Sequence, residues 1–345
     1  MRSVRRRQVL LGLAALLALA GLGLASRMIH EAGAGREATG VVGPARRLGG
    51  RGGGPAIWRF PALVHGDPAD LYLPERGPRD GALPVALLLQ GANVARRHYA
   101  RFAASLAGQG FLVVVPDHWR TFPPIPLLGR RLLLADQRQI GTTLAAVETL
   151  NRVGPAPLRG AIDDGRLVVI GHSMGGLAGL EALAGRCRFP LCLGTYRRPP
   201  ALRGGLFYGT DLVGHGGGPV GPIETGTRPV AMISGSRDGA SAPADVEATW
   251  EQLRSRRKAL LTVEGANHYA ITDTSRPVNP PSLPPIHPDP NAASGDQAAR
   301  IEAIARWSGL FLKGEVLGDP AALQRWHLWL RERQGADGVR ARQGG

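Results

Sequence analysis

The stretch Leu167-Val168-Val169-Ile170-Gly171-His172-Ser173-Met174-Gly175-Gly176 decides the fold. Its four opening residues are apolar and mostly β-branched, which predicts a strand buried on both faces. The small, apolar run Met174–Ala184 predicts a helix directly after it. Between the two lies Gly171-His172-Ser173-Met174-Gly175, a match to G-x-S-x-G. On a tight strand-to-helix turn, a serine hydroxyl projects above the sheet. Flanking glycines remove side chains that would collide in the turn. The helix N-terminus supplies N–H groups and a positive field where negative charge develops. The pentapeptide alone is a weak signal, and the strand and helix around it give it weight.

Working outward, strand and helix patterns alternate along the chain. Leu71–Leu73, Pro84–Leu89, Phe111–Val115, Gly205–Tyr208, Val230–Ser234 and Leu260–Val263 read as further strands. Tyr99–Ala107, Asp136–Val153, Ala244–Arg256, Asp296–Leu312 and residues 320–333 read as helices. This alternation predicts an α/β fold with a mostly parallel sheet covered on both faces. Ligands on such sheets bind at the carboxyl ends of the strands.

A serine hydroxyl needs a base within hydrogen-bond reach. His268, in Gly265-Ala266-Asn267-His268-Tyr269, follows a late strand, where the order Ser…Asp/Glu…His places the base. A surface-loop histidine would read the same way. His118 follows an earlier strand and is a candidate pocket-lining residue, and His172 is expected to point elsewhere on the turn. His215 and His287 lie in Gly- or Pro-rich loops and are poor candidates. The acid that orients the imidazole is assigned to Asp238, in Gly235-Ser236-Arg237-Asp238-Gly239, one strand before His268. Asp211 is its competitor, and Asp245 reads as a helix start. The oxyanion donors are expected to be the N–H groups of Ala92, in Gln90-Gly91-Ala92-Asn93, and of Met174.

The flanking segments bear on location. Residues 1–26 carry Arg2, Arg5, Arg6 and Arg7 and no acid, followed by an uncharged run from Val9 to Ala25. This pattern predicts a signal segment, and Arg6-Arg7-Gln8-Val9-Leu10-Leu11 resembles a twin-arginine export motif. The protein is thus expected to be exported, periplasmic or secreted, through the export machinery. A retained N-terminal membrane anchor is the rival reading. Residues 27–55 read as a flexible Gly/Arg-rich linker, 56–333 as the folded domain and 334–345 as a polar tail. The two cysteines, Cys187 and Cys192, are close enough for a short-loop disulfide in an oxidising compartment. A lone C-x4-C pair makes a poor metal site.

The formal net charge of +15 comes from 42 basic residues, nearly all arginine, against 27 acidic ones. Those arginines are scattered, and no nucleic-acid-binding motif accompanies them, so no nucleic-acid partner is expected.

The segments LLLQGANVARRHYARFAASLAGQGFLVVVPDH, VVIGHSMGG, PVAMISGSRDG and VEGANHYAIT run in order from Leu87 to Thr272. Together they resemble the α/β-hydrolase superfamily. The likeness is to its dienelactone-hydrolase-like branch of cutinase-like polyester hydrolases, chlorophyllases and platelet-activating-factor acetylhydrolases. The resemblance implies an eight-stranded sheet, no cofactor, and hydrolysis of an ester through an acyl-enzyme; the substrate is expected to be a small-molecule or lipid-like ester and the protein a monomer. The catalytic residues would be Ser173, Asp238 and His268. Another acyl-transfer activity on the same fold (peptidase or acyltransferase) and a membrane-tethered, non-catalytic binding module are the alternatives. The chain departs from the family at Gln90, where histidine is frequent. It departs again at Ala92, where polyester hydrolases carry an aromatic residue, and in Phe207-Tyr208-Gly209-Thr210-Asp211, which lacks their tryptophan. Two Pro-rich stretches, Thr121–Leu134 and Val278–Pro290, are extra; they are expected to cover or line an acyl pocket or to be surface ornament.

Overall fold

The computed structural model describes residues 39–49, 55–75, 81–123, 129–213, 221–332, 335 and 337–344. The signal segment expected at 1–26 and its twin-arginine motif lie outside the described residues.

Apolar residues on alternate sides of the central strands create two cores, one on each sheet face. The longest of these strands, β9, spans Ile162–His172. Val168 and Ile170 point into one core while Leu167 and Val169 point into the other. The strand β5, Leu83–Leu89, divides in the same way, with Ala86 and Leu88 on one face and Val85, Leu87 and Leu89 on the other. Period-two alternation with apolar residues on both faces is what burial between two helical layers demands. Each fully buried Leu, Ile or Val contributes about 1.5–3 kcal/mol.

The remaining strands of the main sheet are β1 (Gly40–Val41), β2 (Arg46–Leu48), β3 (Ile57–Val64), β4 (Asp67–Pro74), β6 (Leu112–Pro116), β10 (Leu202–Tyr208), β12 (Val230–Gly235), β14 (Lys258–Val263) and β15 (Val339–Gly344). They form an 11-stranded sheet in the order β1-β3-β4-β6-β5-β9-β10-β12-β14-β15, with β2 also on β3. The middle, from β6 to β14, is parallel. Both margins are antiparallel. The sheet is therefore mixed and wider than the eight-stranded, mostly parallel one expected. The difference arises at the edges. Part of the expected linker over 27–55 supplies β1 and β2, and the expected polar tail over 334–345 supplies β15. In β15 buried Val339 and Ala341 alternate with exposed Arg340 and Arg342, a period-two pattern only two apolar residues long.

Two short pairs stand apart: β7 (Trp119–Phe122) with β8 (Arg130–Leu133), and β11 (Ile223–Gly226) with β13 (Leu253–Ser255). The first is an antiparallel pair that overlaps the stretch Thr121–Leu134 expected to be a Pro-rich loop. Helices span Ala100–Ala107, Arg138–Val153, Met174–Leu183, Pro243–Glu251, Gln297–Phe311 and Pro320–Glu332. Among the described residues no helix is long and apolar enough to cross a membrane. Cys187 and Cys192 are joined in a disulfide, with their Cα atoms 5.1 Å apart.

Candidate active site

At the carboxyl end of β9 the chain turns sharply into the helix Met174–Leu183. Ser173 makes the turn with φ 53° and ψ −122°. Such a conformation in a non-glycine residue costs about 1–3 kcal/mol and persists only where its surroundings enforce it. The Ser173 N–H donates to the Tyr208 carbonyl at 2.9 Å, and the Thr210 hydroxyl donates to the Ser173 carbonyl at 3.3 Å. The helix starts so close to β5 that a Cβ on Gly175 would collide with the Leu89 carbonyl oxygen. Only glycine fits there. Met174, as the first residue of the helix, has an N–H without an intrahelical acceptor.

His268 sits in the loop after β14 and Asp238 in the loop after β12, both buried at 4% and 3% exposure. The His268 Nδ1 lies 2.9 Å from Asp238 Oδ2 and 3.0 Å from its Oδ1. A carboxylate is acceptor-only, so Nδ1 carries a proton, and in the neutral imidazole this leaves the lone pair on Nε2. Asp238 Oδ1 also accepts from the N–H groups of Ala240 at 3.0 Å and Ser241 at 2.8 Å, which locks the carboxylate. Gly209, at φ 54°, leaves the space this pair needs: a Cβ there would stand 2.9 Å from both Asp238 Oδ2 and His268 Nδ1. The competitor Asp211 is buried beyond Thr210, and Asp245 lies in the first turn of the helix Pro243–Glu251.

A directed chain of hydrogen bonds ties the two ends of the site together. The His172 Nε2 is 2.9 Å from the His268 carbonyl, so it must donate. Its Nδ1 therefore accepts from the Tyr99 hydroxyl at 2.9 Å, and that hydroxyl accepts from the Gly91 N–H at 2.9 Å. Burial, followed by the neighbouring His268, holds His172 well below the usual imidazole range, which keeps it neutral and the chain one-directional. The rings of His172 and His268 lie 4.9 Å apart. His172 thus turns inward as a brace.

In the loop after β5, the Gly91 N–H donates to the Tyr99 hydroxyl. The Asn93 N–H donates to the Leu133 carbonyl at 2.7 Å, and the Val94 N–H to the Gly91 carbonyl at 3.0 Å. Gln90 is fully buried and donates through Nε2 to the His118 carbonyl at 3.1 Å. The His118 ring itself lies between two carboxylates, Nδ1 2.5 Å from Asp67 and Nε2 3.5 Å from Asp136. Burial pulls its pKa down, but hydrogen bonds to Asp136 and Asp67 outweigh this and push it up to about 9. The two flanking carboxylates thus favour the protonated form of His118.

The Pro-rich stretch 278–290 packs onto these loops. Asn279 Nδ2 donates to the Asn93 carbonyl at 2.6 Å, and Asn93 Nδ2 donates to the Pro285 carbonyl at 3.2 Å. Asp289 Oδ2 accepts from the His268 N–H at 2.6 Å. Sequence reasoning missed Tyr99, Gly209 and Asp289 as parts of this constellation, and gave His172 no partners. Their partners lie far off in the chain. The one local sign is Pro288-Asp289-Pro290, an aspartate whose backbone is restricted from both sides. Among the described residues no group of three or more His, Cys, Asp or Glu side chains could hold a metal ion.

No protein-family model matches the chain. A bis(hydroxyethyl) terephthalate hydrolase of Streptomyces coelicolor is 36% identical over 107 residues. That similarity covers 31% of this chain and 30% of the relative, so the chain matches under a third of the relative's length.

Proposed function

We propose that this chain is a serine hydrolase that cleaves carboxylic esters through an acyl-enzyme. The observation that carries the reading is the buried Asp238–His268 pair, tethered through the His172 ring to the residue beside Ser173. In this mechanism the Ser173 hydroxyl attacks the ester carbonyl while His268 Nε2 takes its proton. The Nδ1–H held by Asp238 keeps the imidazole in the tautomer that leaves Nε2 free, and the carboxylate stabilises the imidazolium that forms. The N–H groups of Ala92 and Met174 hold the oxyanion. The alcohol departs with the proton from His268, leaving the acyl group on Ser173. Water, deprotonated by His268, then attacks the acyl group, and the acid is released as Ser173 regains its proton.

The strained φ of Ser173 supports this reading, since strain of that kind concentrates at functional turns. The partial similarity to an ester hydrolase supports it from a separate direction. Bis(hydroxyethyl) terephthalate, a small aromatic diester, is therefore the first substrate to assay, alongside p-nitrophenyl butyrate. We place the protein in an oxidising compartment, reached through the signal pattern at 1–26; the Cys187–Cys192 bond supports this, because disulfides persist there.

The test is Ser173→Ala. It should abolish labelling by a fluorophosphonate probe and lower kcat for both esters by roughly 10³–10⁶-fold. Undiminished hydrolysis by the folded variant would refute the mechanism.

A further inference from the structure

Resting on the ester-hydrolase reading, we infer that Asp289 is a positioning residue for His268: a second carboxylate that fixes the backbone of the base and sets negative charge beside its imidazole. Asp289 is only 6% exposed. Its Oδ2 accepts from the His268 N–H at 2.6 Å. Its Oδ1 accepts from the N–H groups of Gly239 at 3.2 Å and Asn291 at 2.7 Å. Gly239 directly follows Asp238, so one carboxylate joins the loop of the base to the loop of the acid. These three partners are main-chain N–H groups, which stabilise the anion without cancelling its charge.

That charge reaches the rings around the base. Burial first, then Asp289 and Asp238, push the Tyr269 phenol up to about 12, and its ring stands edge-on to His268 at 5.3 Å. The other groups facing His268 are Asp238 from the loop after β12 and neutral His172 from the turn after β9; behind His172 stands Tyr208, from the end of β10, which donates to the Asn267 carbonyl. Arg300, on the helix Gln297–Phe311, is the nearby cation; it donates to Gln297 Oε1 at 3.1 Å and to the Ser294 carbonyl.

Two consequences follow from geometry and charge. The side-chain amide of Asp289→Asn satisfies the donors on one side only and turns its own N–H groups toward a donor on the other. The base loop then loses an anchor, which lowers kcat more than it raises KM. The substitution also removes an anion near an imidazole that must become cationic. Loss of that anion makes the imidazole a weaker base, so the acid limb of kcat/KM moves to lower pH.

The experiment compares pH profiles of kcat and kcat/KM for the unsubstituted protein, Asp289→Asn and Asp289→Glu on p-nitrophenyl butyrate. Asp289→Asn should lower kcat about tenfold, leave KM within about twofold, and move the acid limb down by roughly half to one pH unit. Asp289→Glu keeps the charge but not the reach, so kcat should fall while the acid limb stays. A purely structural role would not move that limb. An unchanged limb and kcat in Asp289→Asn, with fluorophosphonate labelling of the unsubstituted protein intact, would overturn this inference alone. If Asp289→Asn does not fold, a wild-type kcat in Asp289→Glu overturns it. Absence of labelling in the unsubstituted protein overturns both this inference and the ester-hydrolase reading.

Discussion

The two halves of the site are held by different kinds of contact. The turn at Ser173 sits on a local strand-to-helix junction and is closed by neutral contacts: its N–H to the Tyr208 carbonyl, the Thr210 hydroxyl to its own carbonyl, and a glycine where a Cβ would meet the Leu89 carbonyl. The His268 side hangs on partners distant in sequence. Asp238 is 30 residues away, the His172 ring 96, and Asp289 21. Ser173 is thus carried on a regular strand-to-helix junction braced by neutral contacts, whereas His268 stands on a loop tied down by carboxylates. Bonds to charged groups, such as those at Asp238 and Asp289, are roughly twice as strong as neutral ones. They concentrate on the half built from loops rather than from a strand-to-helix junction.

The contrast can be broken at its strongest point with Asp238→Asn. An amide at that position favours the wrong imidazole tautomer, and kcat should fall on the order of 10³–10⁴-fold with the fold intact by circular dichroism. The same substitution at Asp211 should cost far less, and equal losses at the two positions would undo the assignment of the acid.

Tyr99→Phe probes the chain linking the halves. It leaves the buried Gly91 N–H without its acceptor and His172 Nδ1 without its donor, which should destabilise the protein by about 1–3 kcal/mol in denaturant unfolding. Activity should fall by roughly three- to tenfold, through slack passed to the His268 carbonyl. An unaltered kcat would mean that the two halves are held independently.

The strand, turn and helix around Ser173 were legible in the sequence, because strand periodicity, turn glycines and helix start all lie within about a dozen neighbouring residues. Asp238 and His268 were also readable as candidates from their places after consecutive strands. What holds them was not. Gly209 gives no local hint that it makes room for an Asp–His pair, and a phenol at Tyr99 reads as ordinary core. The sheet margins escaped for another reason. Strands such as β1, β2 and β15 carry at most two buried apolar residues each, too few for alternation to stand out from polar coil. The eight strands implied by family resemblance left no place for them.

The smallest effect is expected at His118, whose ring pairs with Asp67 and Asp136 while its backbone carbonyl accepts from Gln90. Its pKa is raised in the folded protein, so its contribution to stability is complete below about 6.5 and is lost as pH rises through about 9. The melting temperature should decline across that window, and His118→Gln should flatten the decline while changing kcat by less than about twofold. A decline that persists in His118→Gln would place the titration elsewhere.

The outermost strand β15 bears on behaviour at high concentration. It covers β14 along its whole length, from Lys258 opposite Gly344 to Val263 opposite Val339. Its exposed side chains include Arg340 and Arg342, which pair with Glu264 and Glu247. Ionised side chains along a sheet margin make it a poor template for a strand from another molecule. At this border the molecule carries its own guard against fibrillar stacking, and the guard weakens in solvents that neutralise glutamate or screen arginine.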